Sequence, residues 1–300
     1  MPGESVLEVS ALSKHYGERE AVKSISFTLR KGEVFGLLGP NGAGKTTTIG
    51  MIAGILPCTE GTVRVAGELG LVPQRIAVYP SLTAEENIDF FARIYGLPPG
   101  ERRARIASLL ELVGLTARAR DRVADFSGGM KRRLNLVCGV AHEPDVVLLD
   151  EPTVGVDPQS RERIYEALSA LADRGCALLL TTHYMDEAER LCARLAIMDE
   201  GHFVAEGSIA ELVRRAGIDR HVELMLSRPP GEKLDARLRG LGAHSESERV
   251  YRLTGSDSLR ALPEILALVT SAGNLLQELE VHRANLGDVF LQLTGKALRD

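Results

Sequence analysis

The sequence of 300 residues predicts an α/β fold that carries an inserted helical segment and ends in a small α+β unit. Three observations support this. Short runs rich in Val, Leu and Ile, at Glu33 to Leu38, Val146 to Leu149 and Ala177 to Thr181, alternate with helix-patterned stretches at Lys45 to Ile55, Arg132 to Ala141 and Arg161 to Ala172. The segment from Ser81 to Ala124 has no strand signal. Near Gly217 the apolar pattern changes, and an order close to βαββαβ begins.

The short apolar runs suit strands buried on both faces, as in a parallel sheet, and their alternation with helices is α/β order. Within the insertion, Thr83 and Glu86 form a capping box ahead of a helix running towards Tyr95. Leu97-Pro98-Pro99-Gly100 breaks that helix, and a second one follows with Ile106, Leu109, Leu110 and Val113 on one face. Beyond Gly217, His221 to Leu226 reads as a strand, Lys233 to Arg239 as a short helix and Val250 to Leu253 as a strand. Ser258 to Ser271 reads as a helix with Leu259, Leu262, Ile265, Leu266 and Val269 inward, and Leu275 to Val281 as a strand. One strand of the six-element order is weak, and the arrangement fits a small ferredoxin-like sandwich. Leu286 to Leu293 forms a last helix.

Apolar residues make up 44% of the chain and charged residues 26%, enough for a sizeable core. The net charge of −5 argues against a protein that coats nucleic acid, which shows a basic footprint. Cys58, Cys138, Cys176 and Cys192 form no CxxC pair and no zinc spacing, so they read as reduced thiols of a cytosolic protein. The start MPGESVLEVS has no basic region followed by an apolar one, so no signal peptide is expected. No run of about 18 apolar residues occurs, so any action on a membrane is expected to go through a partner.

Gly39-Pro40-Asn41-Gly42-Ala43-Gly44-Lys45-Thr46 matches G-x-x-x-x-G-K-[ST] between a predicted strand and a predicted helix. The glycines let successive backbone N–H groups converge on phosphate, and the helix start adds partial positive charge. Lys45 is placed to reach the β and γ phosphates, Thr46 to ligand Mg²⁺, and Thr47 belongs to the same cradle. The alternative, a glycine-rich turn before a helix, does not account for both flanks. The loop names a nucleotide site and not a function, since kinases, GTPases, helicases and transport ATPases share it.

Val146 to Leu149 ends in Asp150-Glu151. A central strand stopping there can put the Asp150 carboxylate beside Mg²⁺, and Glu151 can take a proton from water attacking the γ phosphate. An isolated Asp-Glu pair after a strand is more often a cap or a solvated turn; the upstream phosphate loop favours the chemical reading. Ser127-Gly128-Gly129-Met130 is a second helix start with exposed amides but no Lys-Thr pair. Alone it is an ordinary loop sequence, and its place some 20 residues before Asp150 is what makes it informative.

In that order Gly39 to Thr46, Gln74, Ser127 to Met130, Asp150, Glu151, Asp157 and His183 resemble the ATP-binding-cassette (ABC) transporter ATPases over about residues 5–215. The resemblance implies a P-loop NTPase core with a helical subdomain, two chains clamping two MgATP, and a separate membrane permease. Tyr16 falls where the family stacks an aromatic on adenine, and Gln74 where a glutamine touches Mg²⁺ or the attacking water. Ser127, Gly128 and Gly129 fall where the partner's γ phosphate is bound, Asp157 at the dimer seam, and His183 at the switch histidine. Taken alone, each of these has an ordinary reading: a half-buried tyrosine, a surface glutamine, a helix-start aspartate, a polar strand cap. Met130 replaces the usual glutamine, and Lys131-Arg132-Arg133 follows, a variant resembling exporters of drugs, antibiotics or lipo-oligosaccharides. Between Val65 and Leu71 the chain is shorter than the family pattern, which puts the small antiparallel β subdomain in doubt.

The sequence thus implies a nucleotide-binding domain over 1–216, with the helical subdomain at about 75–140, and an accessory domain of regulatory or dimer-stabilising character over 217–300. The expected protein is an exporter's ATPase, peripheral on the cytoplasmic membrane face, acting as a homodimer or with a second ATPase chain, and binding no nucleic acid. A cassette ATPase of chromosomes or ribosomes needs a long coiled coil or two cassettes, and neither occurs. A non-catalytic scaffold is disfavoured because Lys45, Asp150, Glu151 and His183 are all present.

Overall fold

The computed structural model describes residues 4–217, 220–254 and 258–295, so the outer ends of both expected domains lie outside the described residues. The chain divides into two compact units, the first running to Glu206 and the second beginning at Gly207. That division falls about ten residues ahead of the expected boundary at 216/217.

The first unit opens with two long strands, β1 (Ser5–Tyr16) and β2 (Arg19–Arg30), joined by a tight turn at Gly17. Then come β3 (Val34–Leu38), α1 (Lys45–Ile52), β4 (Glu60–Val65) and β5 (Leu69–Val72). The helical insertion supplies α2 (Ala84–Ile94) and α3 (Pro99–Leu112), and α4 (Gly128–Gly139) returns the chain to β6 (Val146–Asp150). The unit closes with α5 (Pro158–Asp173), β7 (Ala177–Thr182), α6 (Met185–Leu191), β8 (Arg194–Asp199) and β9 (His202–Gly207).

A six-stranded sheet in the order β5-β6-β7-β3-β8-β9 forms the centre, with β5 to β8 parallel along that row. Every residue of β3, β6 and β7 is buried, which is why these runs read as continuous apolar sequence without alternation. The second sheet, β2-β1-β4, is antiparallel, so the antiparallel subdomain that the short connection placed in doubt is present. The connection works because β4 and β5 are separated only by Ala66-Gly67-Glu68. Gly67 turns it at φ 94°, and the Asp145 carboxylate accepts the Glu68 amide at 2.9 Å. The two sheets share one core, in which Phe27 stacks on Phe35 with centroids 5.2 Å apart.

In the insertion, Thr83 caps α2 through the capping box with Glu86, and Pro99 occupies the first turn of α3. Leu109, Leu110 and Val113 are buried as the periodicity predicts, and Ile106 is only partly so. All four cysteines are free: Cys138 and Cys192 are buried, Cys176 is half-buried and Cys58 is exposed.

The second unit contains α7 (Ile209–Arg215), β10 (Arg220–Leu226), α8 (Glu232–Gly240), β11 (Ala243–Ser245), β12 (Val250–Thr254), α9 (Ser258–Ser271), β13 (Leu276–Arg283) and α10 (Leu286–Thr294). Its antiparallel sheet has the order β11-β12-β10-β13, the split-βαβ arrangement expected from βαββαβ. The weak strand is β11. The expected inward face of α9 is corrected in part: Ile265, Leu268 and Val269 are buried, while Leu259 and Leu266 are exposed. The buried stripe is narrower than the apolar run because only one side of the helix meets the sheet. Among the described residues no helix is long and apolar enough to cross a membrane.

Leu148, fully buried at the middle of β6, anchors the strand that carries the two acids. Leu148→Ala is expected to lower unfolding free energy by about 2–5 kcal/mol with an unchanged denaturant slope, measured by chemical denaturation.

Candidate functional site

The loop from Gly39 to Gly44 leaves β3 and enters α1 along a path that its glycines make possible. Gly42 and Gly44 have φ of 83° and 107°, the left-handed region in which a side chain is strained. A Cβ on Gly39 would lie 2.0 Å from the Met198 carbonyl oxygen, so the close approach of loop to β8 requires glycine there. Ala43 is buried beneath the loop, and its amide donates to the Pro40 carbonyl. The loop borders a cleft of about 350 Å³ lined by Tyr16, Asn41, Lys45, Thr46, Thr47, Gln74 and Glu151, with Gly42, Gly44, Arg19 and Ala21. Tyr16 is half exposed at its edge, with Lys14 5.2 Å from the ring centroid.

Lys45 is almost fully buried. Its Nζ donates to the carbonyl oxygens of Gly39 at 2.6 Å and Pro40 at 3.1 Å, and lies 3.5 Å from Glu151 Oε1. Burial pulls its pKa below the ordinary lysine value, opposed by Glu151 and Asp150. Thr46 Oγ1 donates to Asp150 Oδ1 at 3.2 Å, and Thr181 Oγ1 donates to the same oxygen at 2.7 Å. The end of β6 and the start of α1 therefore meet, although 104 residues separate them in sequence.

Glu151 is the centre of the arrangement. Its Oε2 accepts from Gln74 Nε2 at 2.8 Å, and its Oε1 is 3.0 Å from His183 Nδ1. Its backbone lies at φ 47°, a strained conformation for a residue with a side chain. That conformation is held on several sides. The Glu151 amide donates to the Thr181 carbonyl at 3.1 Å and to the Thr181 hydroxyl at 3.0 Å. Arg132, 3% exposed in α4, donates to the carbonyl oxygens of Glu151 and Gln74, and to those of Pro152 at 2.7 Å and Pro73 at 3.3 Å. One guanidinium thus ties α4 to both the Gln74 segment and the Glu151 turn.

The remaining expected residues lie elsewhere. Ser127 caps α4 and accepts the Met130 amide at 3.2 Å; Ser127 and Gly128 are exposed. Gly129 is packed so closely that a Cβ would sit 2.8 Å from Asp157 Oδ2 and 2.3 Å from Ser160 Oγ. Asp157 caps α5, accepting the Ser160 amide at 2.9 Å, and hydrogen bonds from Ser160 hold its carboxyl below the usual aspartate range. These residues cluster with one another, and none of them lines the cleft.

Sequence reading missed Arg19, Arg132, Thr181 and Glu187. Thr181-Thr182 at the end of a buried apolar strand is a usable signal, because hydroxyls there need partners. Arg132 is not separable by sequence from Lys131 and Arg133, its neighbours in one basic run.

Residues 22–154 match the family described as ABC transporter. The chain is 42% identical over 313 residues to the linearmycin resistance ATP-binding protein LnrL of Bacillus subtilis (strain 168), covering 98% of this chain and 100% of that protein. It is 40% identical over 313 residues to the Nod factor export ATP-binding protein I of Paraburkholderia xenovorans (strain LB400), covering 99% of each. Among solved structures, an ATP-binding subunit of an ABC transporter superposes with TM-score 0.66 at 32% identity, over 71% of this chain and 93% of that one. A dimeric ATP-binding cassette in a post-hydrolysis state, bound to ADP and Pi, shares the fold with TM-score 0.61 at 24% identity, over 67% of this chain and 98% of that one.

Removing the Arg132 guanidinium leaves buried carbonyl oxygens of Glu151 and Pro152 without that donor. Arg132→Met is expected to destabilise the chain by on the order of 1–3 kcal/mol for each acceptor left unpaired, read as a lowered denaturation midpoint.

Proposed function

Because this chain belongs to the ABC transporter ATP-binding family, we propose that it is the ATP-hydrolysing subunit of an exporter, working in a head-to-tail pair on a separate permease. The observation that carries the reading is the convergence of Lys45, Gln74 and His183 on the Glu151 carboxylate at the wall of the phosphate-loop cleft. The names of the two relatives, a resistance protein and an export protein, support export. The permease selects the cargo.

In this reading the triphosphate lies along Gly39 to Thr47, and Tyr16 at the cleft edge stacks on the base. Thr46 and Gln74 line the cleft and Asp150 lies directly behind Thr46, 3.2 Å from its hydroxyl, a set of hard oxygen donors suited to Mg²⁺, which takes few protein ligands and shares phosphate oxygens. When bound, Mg²⁺ would neutralise charge on the β and γ phosphates. Lys45 adds positive charge at the same phosphates. Glu151 accepts a proton from the water that attacks the γ phosphorus. The γ phosphate leaves as inorganic phosphate, and ADP carries away the bridging oxygen. Gln74 and His183 fix the two carboxylate oxygens so that one lone pair faces the water.

Ser127, Gly128 and Asp157 are exposed in one cluster away from the cleft, which supports their use on a second copy's γ phosphate and at the seam. Closure of the pair around nucleotide would do work only if ATP favours the closed state over the open one. Ile76 and Tyr79, exposed just beyond Gln74, support that segment as the permease contact. The chain would then reside on the cytoplasmic face of the membrane through its permease. The second unit is assigned a regulatory or dimer-stabilising role.

Glu151→Gln is expected to retain ATP binding and lose about 10²–10⁴-fold in hydrolysis rate, measured by nucleotide binding and phosphate release. Full turnover in that variant would remove the assignment. Chelation of divalent cations is expected to stop phosphate release, and added Mg²⁺ to restore it. A cross-link between cysteines placed at Ser127 and in the phosphate loop is expected only between two chains and only with nucleotide.

A further inference from the structure

We propose that Glu187 is a positioning residue for hydrolysis: through the Thr153 hydroxyl it pins the turn that presents Glu151 to the segment that presents His183. The inference rests on the reading of Glu151 given above.

Glu187 is the third residue of α6 and is 1% exposed. An acid at this position of a helix ordinarily turns back to cap the helix start from the surface. Here the helix start is Tyr184, which makes no side-chain cap, and the Tyr184 amide instead donates to Thr182 Oγ1 at 3.0 Å. The Glu187 carboxyl reaches across the ends of two strands. Its Oε1 accepts from Thr153 Oγ1 at 2.7 Å, and Thr153 is fully buried. A carboxyl buried this deeply is retained at a cost unless its contact serves something. Burial pushes its pKa up, outweighing Thr182, Thr153, Arg161 and His183, which favour the charged form.

The contact serves the strained turn. Glu151 has φ 47°, the Val154 amide donates back to the Glu151 carbonyl at 3.3 Å, and the Val156 amide donates to the Thr153 carbonyl at 3.2 Å. Arg132 holds the turn from the α4 side through the carbonyls of Glu151 and Pro152. Glu187 holds it from the α6 side through Thr153. The α6 side is also the side of His183, four residues ahead of Glu187 and bonded to the Glu151 carboxylate. With one pin released, the carboxylate can drift from Gln74 and His183, and a shift of about 1 Å at a reacting group costs about 100-fold in rate. Among the described residues no hydrogen bond or ion pair joins the phosphate loop to Thr153 or Glu187, so nucleotide affinity is not expected to change.

The test is ATP binding and single-turnover hydrolysis by the full chain. Glu187→Ala and Thr153→Val are each expected to lower the hydrolysis rate about 10- to 100-fold, with ATP affinity within about twofold of the parent. The double variant is expected to lose no more than either single one, since both remove one contact. Glu187→Gln, whose amide oxygen still accepts from Thr153, is expected to retain most of the rate. Thr153→Val keeps volume and burial and carries the test if Glu187→Ala does not fold. Parent rates in both Glu187→Ala and Thr153→Val, beside an inactive Glu151→Gln, overturn this inference and leave the catalytic assignment intact. An active Glu151→Gln overturns the assignment itself. Equal loss in Glu187→Gln and Glu187→Ala, or loss of ATP affinity in step with rate, marks a general packing role and also overturns the inference.

Discussion

The buried carboxylate of Glu151 is the point on which the first unit depends. Lys45 from the phosphate loop, Gln74 from beyond β5 and His183 from beyond β7 all bond or pair with it. A nearly buried carboxylate is unfavourable without such partners, so one charge holds the three segments in one arrangement. The backbone beneath it is strained, and the surrounding structure supplies the restraint: Thr181 at the amide, Arg132 at the carbonyl, and the parallel sheet that fixes β6 between β5 and β7.

That arrangement explains why the sheet is parallel and buried. All three central strands end at the same edge, where their loops bring the phosphate cradle, the acids and the histidine together. Val and Leu dominate the apolar residues of these buried strands. α4 does two things at once. Its exposed start presents Ser127 and Gly128, and its buried Arg132 grips the Gln74 and Glu151 segments of the same chain.

Much of the fold was legible because its signals are local. The phosphate loop depends on glycines at fixed spacing; the α2 cap depends on Thr83 and Glu86; the βαββαβ order of the second unit follows from alternating and helical periods. Where reading went astray, the missing information was tertiary. Leu259 and Leu266 of α9 fit an inward period and are nevertheless exposed, because the sheet covers less of the helix than its apolar stripe would allow. The short link before β5 suggested a reduced antiparallel sheet, yet Asp145, distant in sequence, anchors that link and the sheet forms.

The sequence by itself determined which groups are candidates for the chemistry: a lysine and threonine behind a glycine-rich turn, two acids at a strand end, a glutamine, a histidine, and a second helix start. Their identities answer to backbone geometry and charge within a few residues of each. Only the tertiary structure decided which groups meet. Glu151 is brought to Gln74 across 77 residues and Asp150 to Thr46 across 104. It also decided which of three consecutive basic residues is buried and which acid of α6 turns inward. Burial and long-range hydrogen bonding depend on neighbours that no local pattern records, so Arg132 and Glu187 became visible only once the strands were assembled.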